Sequence, residues 1–362
     1  QINRVGDMAE ISKTLTELGL TAAGGRDATI TGLTVDSRAV KKGMLFAALP
    51  GVKVHGASFI GTALAQGATA ILTDSKGAAL AADELAASDA AVIVAQDPRQ
   101  TLAQTASLWF GPHPSTVVAV TGTNGKTSVS TFARQIWEEL QIAGVNLGTT
   151  GVEGAWSHPL KHTTPEPITL HRVMAEATAE GITHVAMEAS SHGLDQRRLD
   201  GVILAAAAFT NFTQDHLDYH ETFEAYFQAK MGLFTRVLPD DAVAVINLDD
   251  PKGEHVAGIC ADRGQEVIGV GRHPNARLRL TGQRFDETGQ DLLFMWQGEA
   301  HQTRLNLIGG FQADNVLLAA GLVIAAGADA DSVFETLPHL STVRGRMELA
   351  ARRENGASVF VD

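Results

Sequence analysis

The seven residues Thr121 to Thr127, TGTNGKT, follow an apolar run, Val117-Val118-Ala119-Val120, and precede an amphipathic stretch beginning at Ser128. That order predicts a strand, a tight phosphate loop and a helix. Glycines at 122 and 125 let the backbone turn so that successive N–H groups and the helix N-terminus point at an anion. Lys126 adds charge, and Thr127 offers a hydroxyl for magnesium. Thr121, Gly122, Thr123, Asn124, Gly125, Lys126, Thr127 and Ser128 are therefore candidate ATP-binding residues. The common G-x-x-x-x-G-K-[ST] pattern would place a glycine at 120, where this chain has Val120. A glycine-rich β-to-α turn with no ligand would leave the Lys-Thr pair after the second glycine unexplained.

At 362 residues and 44% apolar content the chain can bury a substantial core, and at roughly 100–200 residues per domain it should form two or three domains. Lys plus Arg number 28 against 41 Asp plus Glu, a net charge of −13. That balance disfavours a nucleic-acid or anionic-membrane surface and favours a small-molecule enzyme. The single cysteine, Cys260, cannot form an intrachain disulfide, and no basic-then-apolar leader precedes Ile11, so the cytoplasm is the expected location. The longest uncharged apolar stretch, Val316 to Ala328, falls short of the roughly 20 residues a membrane span needs and reads as a buried helix.

Short apolar runs (Leu45 to Leu49, Ala70 to Leu72, Val92 to Ala95) alternate with Ala-rich helical stretches up to about residue 97, a small α/β domain. Asp97-Pro98 marks the first boundary, and a helix with Trp109 and Phe110 leads to the phosphate-loop strand. Further strands are expected at Val185 to Met187, Ala205 to Phe209, Ala242 to Ile246 and Glu266 to Val270. These predict a doubly wound, largely parallel sheet with its ligand edge at the strand C-termini. Residues 278 to 307 alternate like antiparallel strands, with turns at Glu287-Thr288-Gly289 and Gly298, so a small antiparallel appendage is expected. The first residue is Gln1, and Ser358 to Asp362 read as a strand that stops as it begins. The chain reads as cut on both sides.

Three segments carry candidate chemistry. Glu188 falls at the end of the strand around Val185, beside the expected phosphate site, where its carboxylate can hold magnesium together with Thr127. The segment Thr210 to His220 crowds polar and metal-capable side chains into one loop after a strand. Its His216 and His220, four apart, could make a zinc pair on a helix, although the H-E-x-x-H glutamate is missing and ordinary helix-capping histidines explain them as well. Lys230 sits on an aromatic-rich helix, where a lone lysine is ordinarily a snorkelling surface charge.

Taken together, TGTNGKT, HTTPEP (162 to 167), MEASSHGLDQRR (187 to 198), TNFTQDHLDYHETFEAYFQAK (210 to 230), INLDDP (246 to 251) and VRGRME (343 to 348) closely resemble the Mur ligases of bacterial cell-wall synthesis. Within that family the similarity is greatest to the diamino-acid-adding ligases that act on UDP-MurNAc-L-Ala-D-Glu. It runs nearly end to end, and TVDSRAVKKGMLFAALPG (34 to 51) looks like the family's uridine-nucleotide-binding domain.

The resemblance implies a uridine-nucleotide-binding domain at 1–97, a P-loop-type central ATPase domain at 98–348, and at 349–362 the start of a third, Rossmann-like domain. It implies that the substrate's D-glutamyl carboxylate attacks the γ-phosphate of ATP, giving an acyl phosphate that meso-diaminopimelate or L-lysine displaces. By the same resemblance Lys126, Glu188, His216 and Lys230 are catalytic. Magnesium at two sites would be held by Thr127, Glu188, His216 and Lys230, the last as N6-carboxylysine formed with carbon dioxide. An ordinary lysine leaves little neutral amine at pH 7, so metal and polar neighbours are expected to favour the carbamate. Val35 and Ser37 match uracil contacts. Thr163, Thr164, Ser190, Gln196 and Arg198 match muramoyl-peptide contacts, with Arg198 suited to acidic groups. Asn315, Arg346 and Asp362 match nucleotide contacts, although Asn315 alone could be a helix N-cap and Arg198 a surface cation.

The chain departs from the family pattern at Gln312, where Asn is usual, and at His162, where Asn is frequent before Thr-Thr-Pro. With the third domain nearly absent, the resemblance implies a monomer that binds the muramoyl dipeptide without turning over. The rivals are a folylpolyglutamate-synthase-like ligase, a non-catalytic nucleotide-sugar-binding protein, and a zinc hydrolase built on His216 and His220.

Overall fold

The computed structural model describes residues 11–213, 219–343, 348–352 and 358–361. His216, Arg346 and Asp362, all candidate site residues, lie outside them. The chain divides into two compact units: Gln1–Gly111 with Glu166–Arg172 and Gln196–Gly201, and Pro112–Pro165 with Val173–Asp195 and Val202–Asp362.

The first unit contains a four-stranded parallel sheet in the order Leu33–Thr34, Leu45–Ala47, Ala70–Thr73, Ala91–Val94. The three longer strands fall on the apolar runs of the sequence; Leu45–Ala47 and Ala70–Thr73 are buried throughout, as parallel strands covered on both faces are, whereas the edge strand Ala91–Val94 buries Ala91 and Ile93 and exposes Val94. One face packs Leu15, Ile30, Leu45, Leu72 and Ile93, and a second cluster gathers Phe46, Ile60 and Ile71. The helix Pro98–Phe110 is capped by the Asp97 carboxylate, which accepts from the Gln100 N–H. It adds Leu102, Ala106 and Trp109 to the first cluster, so this unit runs past Asp97 to Gly111.

In the second unit a ten-stranded sheet, counted among the described residues, runs Glu299–Leu305, Gly289–Trp296, Leu278–Asp286, Glu266–Gly271, Val243–Asn247, Ala206–Phe209, Thr116–Thr121, His184–Glu188, Gly144–Gly148, Gly151–Gly154. The six strands from Glu266–Gly271 to Gly144–Gly148 in that order are mutually parallel. The antiparallel strands expected at 278–307 continue this sheet, because Leu278–Asp286 pairs parallel with Glu266–Gly271.

After the phosphate-loop strand Thr116–Thr121, the chain builds Gly144–Gly148 and His184–Glu188 on one side and Ala206–Phe209 onward on the other. That reversal opens a crevice at the strand C-termini. Register levels the ends there: Glu188 lies opposite Val120, and Phe209 opposite Thr121.

The helix Lys126–Glu139 buries Val129, Phe132, Ala133, Ile136 and Trp137, the i, i+3, i+4, i+7 stripe of a half-buried helix. It packs against the helix Phe311–Ala325, which begins before the apolar run Val316 to Ala328 expected to form a buried helix and ends at Ala325. Each large apolar side chain withdrawn from water in this way contributes roughly 1.5–3 kcal/mol.

Candidate active site

The phosphate loop is shaped by a second segment laid across it. Thr210 to Thr213 follow the neighbouring strand and bond along the loop. The Thr210 hydroxyl donates to the Asn124 carbonyl at 2.6 Å, and the Asn211 side chain accepts from the Asn124 N–H at 2.9 Å and donates to its carbonyl at 3.2 Å. The Thr123 N–H donates to the Asn211 carbonyl at 2.9 Å, and the Thr213 N–H to the Thr123 hydroxyl at 3.0 Å. A Cβ at Gly122 would stand 1.7 Å from the Thr210 hydroxyl oxygen, so this close crossing requires glycine. Gly125, at φ 88°, is the residue from which the helix Lys126–Glu139 starts. Its left-handed turn aims the helix N-terminus, with its partial positive charge, at the crevice.

The INLDDP motif holds that crossing segment from behind. The Asn247 side chain donates to the Thr210 carbonyl at 2.7 Å, and the Asp250 carboxylate accepts from the Phe212 N–H at 3.1 Å. Asp249 accepts from the Arg272 and His273 N–H groups, pinning the end of the strand Glu266–Gly271.

A cavity of about 610 Å³ opens above these strand ends. Its lining includes Thr123 to Ser128, Thr149, Thr163, Glu188, Ser190, His192, Asn211, Tyr219, His220, Tyr226, Lys230, Phe311 and Asn315. Residues drawn from seven separated stretches of sequence thus face one space.

Lys230 is 1% exposed. Its Nζ donates to the Gly122 carbonyl at 2.8 Å and lies 4.6 Å from the centre of the Tyr226 ring. Burial, and secondarily the positive charge of Lys126, lower its pKa to about 6. Where a lone helix lysine is ordinarily a solvated surface charge, Lys230 is a buried amine, neutral for the most part at pH 7. The fold supplies the neutral amine that the sequence reading left to metal and polar neighbours.

Glu188 is likewise 1% exposed. Its Oε1 accepts from the Thr149 N–H at 3.1 Å and its Oε2 from the Thr149 hydroxyl at 3.0 Å. No basic side chain pairs with it among the described residues. A carboxylate buried without a counter-cation is costly, and it faces a space it shares with the half-buried Lys126 and the hydroxyl of Thr127. Hard oxygen donors of this kind fit magnesium, which keeps few protein ligands and completes its shell with phosphate and water.

His220 does not cap a helix. The helix Phe223–Gly232 is capped by Thr222, whose hydroxyl accepts from the Ala225 N–H at 3.0 Å. His220 precedes that helix, and His216, its partner in the zinc reading, lies outside the described residues. The ring is instead buried against Tyr219 and Tyr226, with no hydrogen-bond partner for Nε2 among the described residues. Burial lowers its pKa, against a smaller opposing pull from Asp195, with Lys230 the least of the three influences.

Among the remaining candidates, Asn315 is on the fifth residue of its helix and is not an N-cap. Its carbonyl oxygen would meet a Cβ at Gly125 at 2.7 Å, which places it hard against the loop. Gln312 is buried, with its Oε1 3.5 Å from the Asn315 amide. Thr164 is buried, donating to the Glu188 carbonyl at 2.9 Å and accepting from the Ser190 N–H at 3.0 Å, so it ties the turn that carries both. His162 is exposed.

Val35, Ser37, Gln196 and Arg198 belong to the first unit. Val35 is exposed and Ser37 buried, beside a fork in which Asp36 accepts from the Arg38 guanidinium at 3.0 and 2.8 Å. Arg198 donates to the Gln196 side chain at 2.9 Å.

Sequence reasoning missed Thr149, Asn211, Asn247 and Asp250. The last three stand within motifs whose residues were weighed one by one for chemistry and not for holding one another. Thr149 follows the strand Gly144–Gly148, whose glycines and asparagine hide it from an apolar-run search.

Residues 120–323 match the Mur ligase middle domain, and residues 29–109 match the domain described as Mur ligase family, catalytic domain. The chain is 42% identical over 360 residues to the UDP-N-acetylmuramoyl-L-alanyl-D-glutamate--2,6-diaminopimelate ligase of Chelativorans sp. (strain BNC1), spanning 99% of this chain and 72% of that protein. It is 46% identical over 338 residues to the protein of the same name from Brucella melitensis biotype 1, spanning 92% and 67%. A solved structure of a UDP-N-acetylmuramoyl-L-alanyl-D-glutamate--2,6-diaminopimelate ligase matches with a TM-score of 0.81 at 28% identity, covering 95% of this chain and 70% of that one. A folylpolyglutamate synthase, the apo form from L. casei, shares the fold at a TM-score of 0.59 and 14% identity, over 74% of this chain and 72% of that one. The chain belongs to the Mur ligase family.

Proposed function

We propose that this protein is an ATP-dependent acid–amino-acid ligase of peptidoglycan precursor synthesis, joining 2,6-diaminopimelate to UDP-MurNAc-L-Ala-D-Glu. The reaction class and the diamino acid follow the names of relatives more than 40% identical over almost the whole chain. The observation that carries the mechanism is the single cavity shared by the phosphate loop, Glu188, Lys230, Ser190 and Thr163.

In this reading an oxygen of the D-glutamyl carboxylate forms a bond to the γ-phosphorus as the bond to ADP breaks. The neutral amine of the diamino acid then attacks the acyl carbon, inorganic phosphate leaves, and the amine's proton passes to solvent. The residues act chiefly by position and charge. Lys126 and the loop N–H groups hold the β- and γ-phosphates, and Asn315 borders the base. Thr127 and Glu188 would hold one magnesium, and His216 with Lys230 as its carbamate a second, spreading the charge that develops on the phosphoryl oxygens. Lys230's neutral amine is the form that adds carbon dioxide, which supports the carbamate. Thr163, Thr164, Ser190, Gln196 and Arg198 would receive the muramoyl peptide, and Val35 and Ser37 in the first unit the uracil. Arg346 and Asp362 would complete the nucleotide contacts. No helix among the described residues is long and apolar enough to cross a membrane.

Calorimetric titration with UDP-MurNAc-L-Ala, UDP-MurNAc-L-Ala-D-Glu and the tripeptide nucleotide tests the assignment. Preference for the dipeptide is expected. Preference for the shorter or longer nucleotide would move the protein to the preceding or following ligation step.

A further inference from the structure

Among the described residues, Glu188 gains its side-chain hydrogen bonds from a single residue on an exposed turn. Thr149 joins the strands Gly144–Gly148 and Gly151–Gly154, and it is solvent-exposed while the carboxylate it holds is buried. Its N–H binds Oε1 and its hydroxyl binds Oε2. Two donors on two oxygens fix the plane of a carboxylate, because rotation about its terminal bond breaks both. A carboxylate has about four acceptor sites, so one on each oxygen stays open toward the cavity.

The neighbouring geometry leaves little choice of proton order. A threonine hydroxyl has one proton, and that of Thr149 is committed to Oε2. The Thr149 and Thr163 hydroxyl oxygens are 3.1 Å apart, so Thr163 must be the donor between them. The chain of protons runs Thr163 to Thr149 to Glu188, each bond polarising the next. Gly148 completes the arrangement, since a Cβ there would stand 2.2 Å from Glu188 Oε1 and 2.4 Å from its Cδ. The carboxylate lies directly over that bare backbone.

We infer that Thr149 is a positioning residue that holds the Glu188 carboxylate in the orientation that receives magnesium with the nucleotide, and that Thr163 orients Thr149. This rests on the reading of Glu188 as a magnesium ligand in an ATP site. Thr149 touches neither the metal nor the phosphates in this account and acts through Glu188 alone.

The test is calorimetry of a non-hydrolysable ATP analogue, AMP-PNP, on the whole chain in magnesium and in EDTA. It compares the native protein with Thr149→Val, Thr149→Ser and Gly148→Ala, each checked by its melting temperature. The native protein should bind more tightly with magnesium. Thr149→Val keeps the backbone donor and loses the hydroxyl, so it should lose about tenfold of the magnesium-dependent gain, as for one hydrogen bond to a charged group. Its affinity in EDTA should stay within about twofold, because the phosphate-loop donors are untouched. Thr149→Ser should behave as the native protein, and Gly148→Ala should lose the magnesium gain by displacing the carboxylate itself. A Thr149→Val protein that keeps the full gain, or that weakens equally in EDTA, overturns the positioning role and leaves the ligase reading standing. If the native protein binds the analogue without any magnesium gain, or fails to bind it, the reading beneath the proposal falls, and the proposal with it.

Discussion

Lys126 and Lys230, 104 positions apart, donate to the same backbone oxygen: each Nζ lies 2.8 Å from the Gly122 carbonyl. Burial is the larger reason that Lys230 holds its proton weakly, and the nearby charge of Lys126 the smaller. Lys230 is the largely neutral amine, and Lys126 also reaches the Thr123 carbonyl at 3.1 Å. The phosphate loop and the helix Phe223–Gly232 are thereby linked through a single peptide oxygen.

Replacing Lys126 by Met should weaken ATP-analogue binding about ten- to a hundredfold, the worth of roughly 1.5–3 kcal/mol for hydrogen bonds to a charged group. It should also raise the pKa of Lys230, since the second cause of its depression is removed. Calorimetry checks the first effect, and NMR titration of the buried amine the second.

Lys230→Met should stabilise the fold in buffer free of magnesium and bicarbonate, with a defined pH dependence. Between pH 6 and the ordinary lysine value of 10.5 the unfolded chain binds a proton at Lys230 that the folded chain does not. Stability of the native protein therefore rises with pH across that window, and the burial cost is fully present below about pH 6. The melting-temperature gain of the variant should be largest near pH 6 and shrink toward pH 9.5. A gain independent of pH would mean that Lys230 is charged in the fold.

Nuclear magnetic resonance in ¹³C-labelled bicarbonate should show a carbamate carbon in the native protein at pH 7–8 and none in Lys230→Met. Magnesium should increase its intensity if the carbamate is a ligand.

Gly122→Ala should destabilise the protein by about 2–4 kcal/mol, the range of a buried steric conflict at a special backbone position. The new methyl would meet the Thr210 hydroxyl oxygen at 1.7 Å, so the crossing segment must move off the loop. Urea unfolding measures the loss, and nucleotide binding should fall with it.

Asn211→Ala removes both side-chain bonds to Asn124 and should cost about 1–2 kcal/mol at roughly 1 kcal/mol per bond. Asp250→Ala releases the Phe212 and Lys252 N–H groups and acts on the same segment from the other side. A double-mutant cycle should show coupling greater than about 0.5 kcal/mol. Strict additivity would mean that the two anchors act independently.

Much of the fold could be read along the chain because it rests on local regularities. Apolar runs such as Val117 to Val120 mark doubly covered strands, and the spacing of Val129, Phe132, Ala133, Ile136 and Trp137 marks a helix face. The phosphate loop needs only seven consecutive residues, so its chemistry is visible without any partner, and the order of motifs identified the family. The neutral state of Lys230, the hold of Thr149 on Glu188, and the clasp of Asn211 on Asn124 were not visible in that way. Each depends on residues 39 to 108 positions apart brought together by strand order and register. A lysine's surroundings and a carboxylate's donors are properties of that packing. Residue identities along the chain determined which groups this protein has to work with, and only the tertiary structure, by burying Lys230 and setting Thr149 against Glu188, decided how they face the cavity.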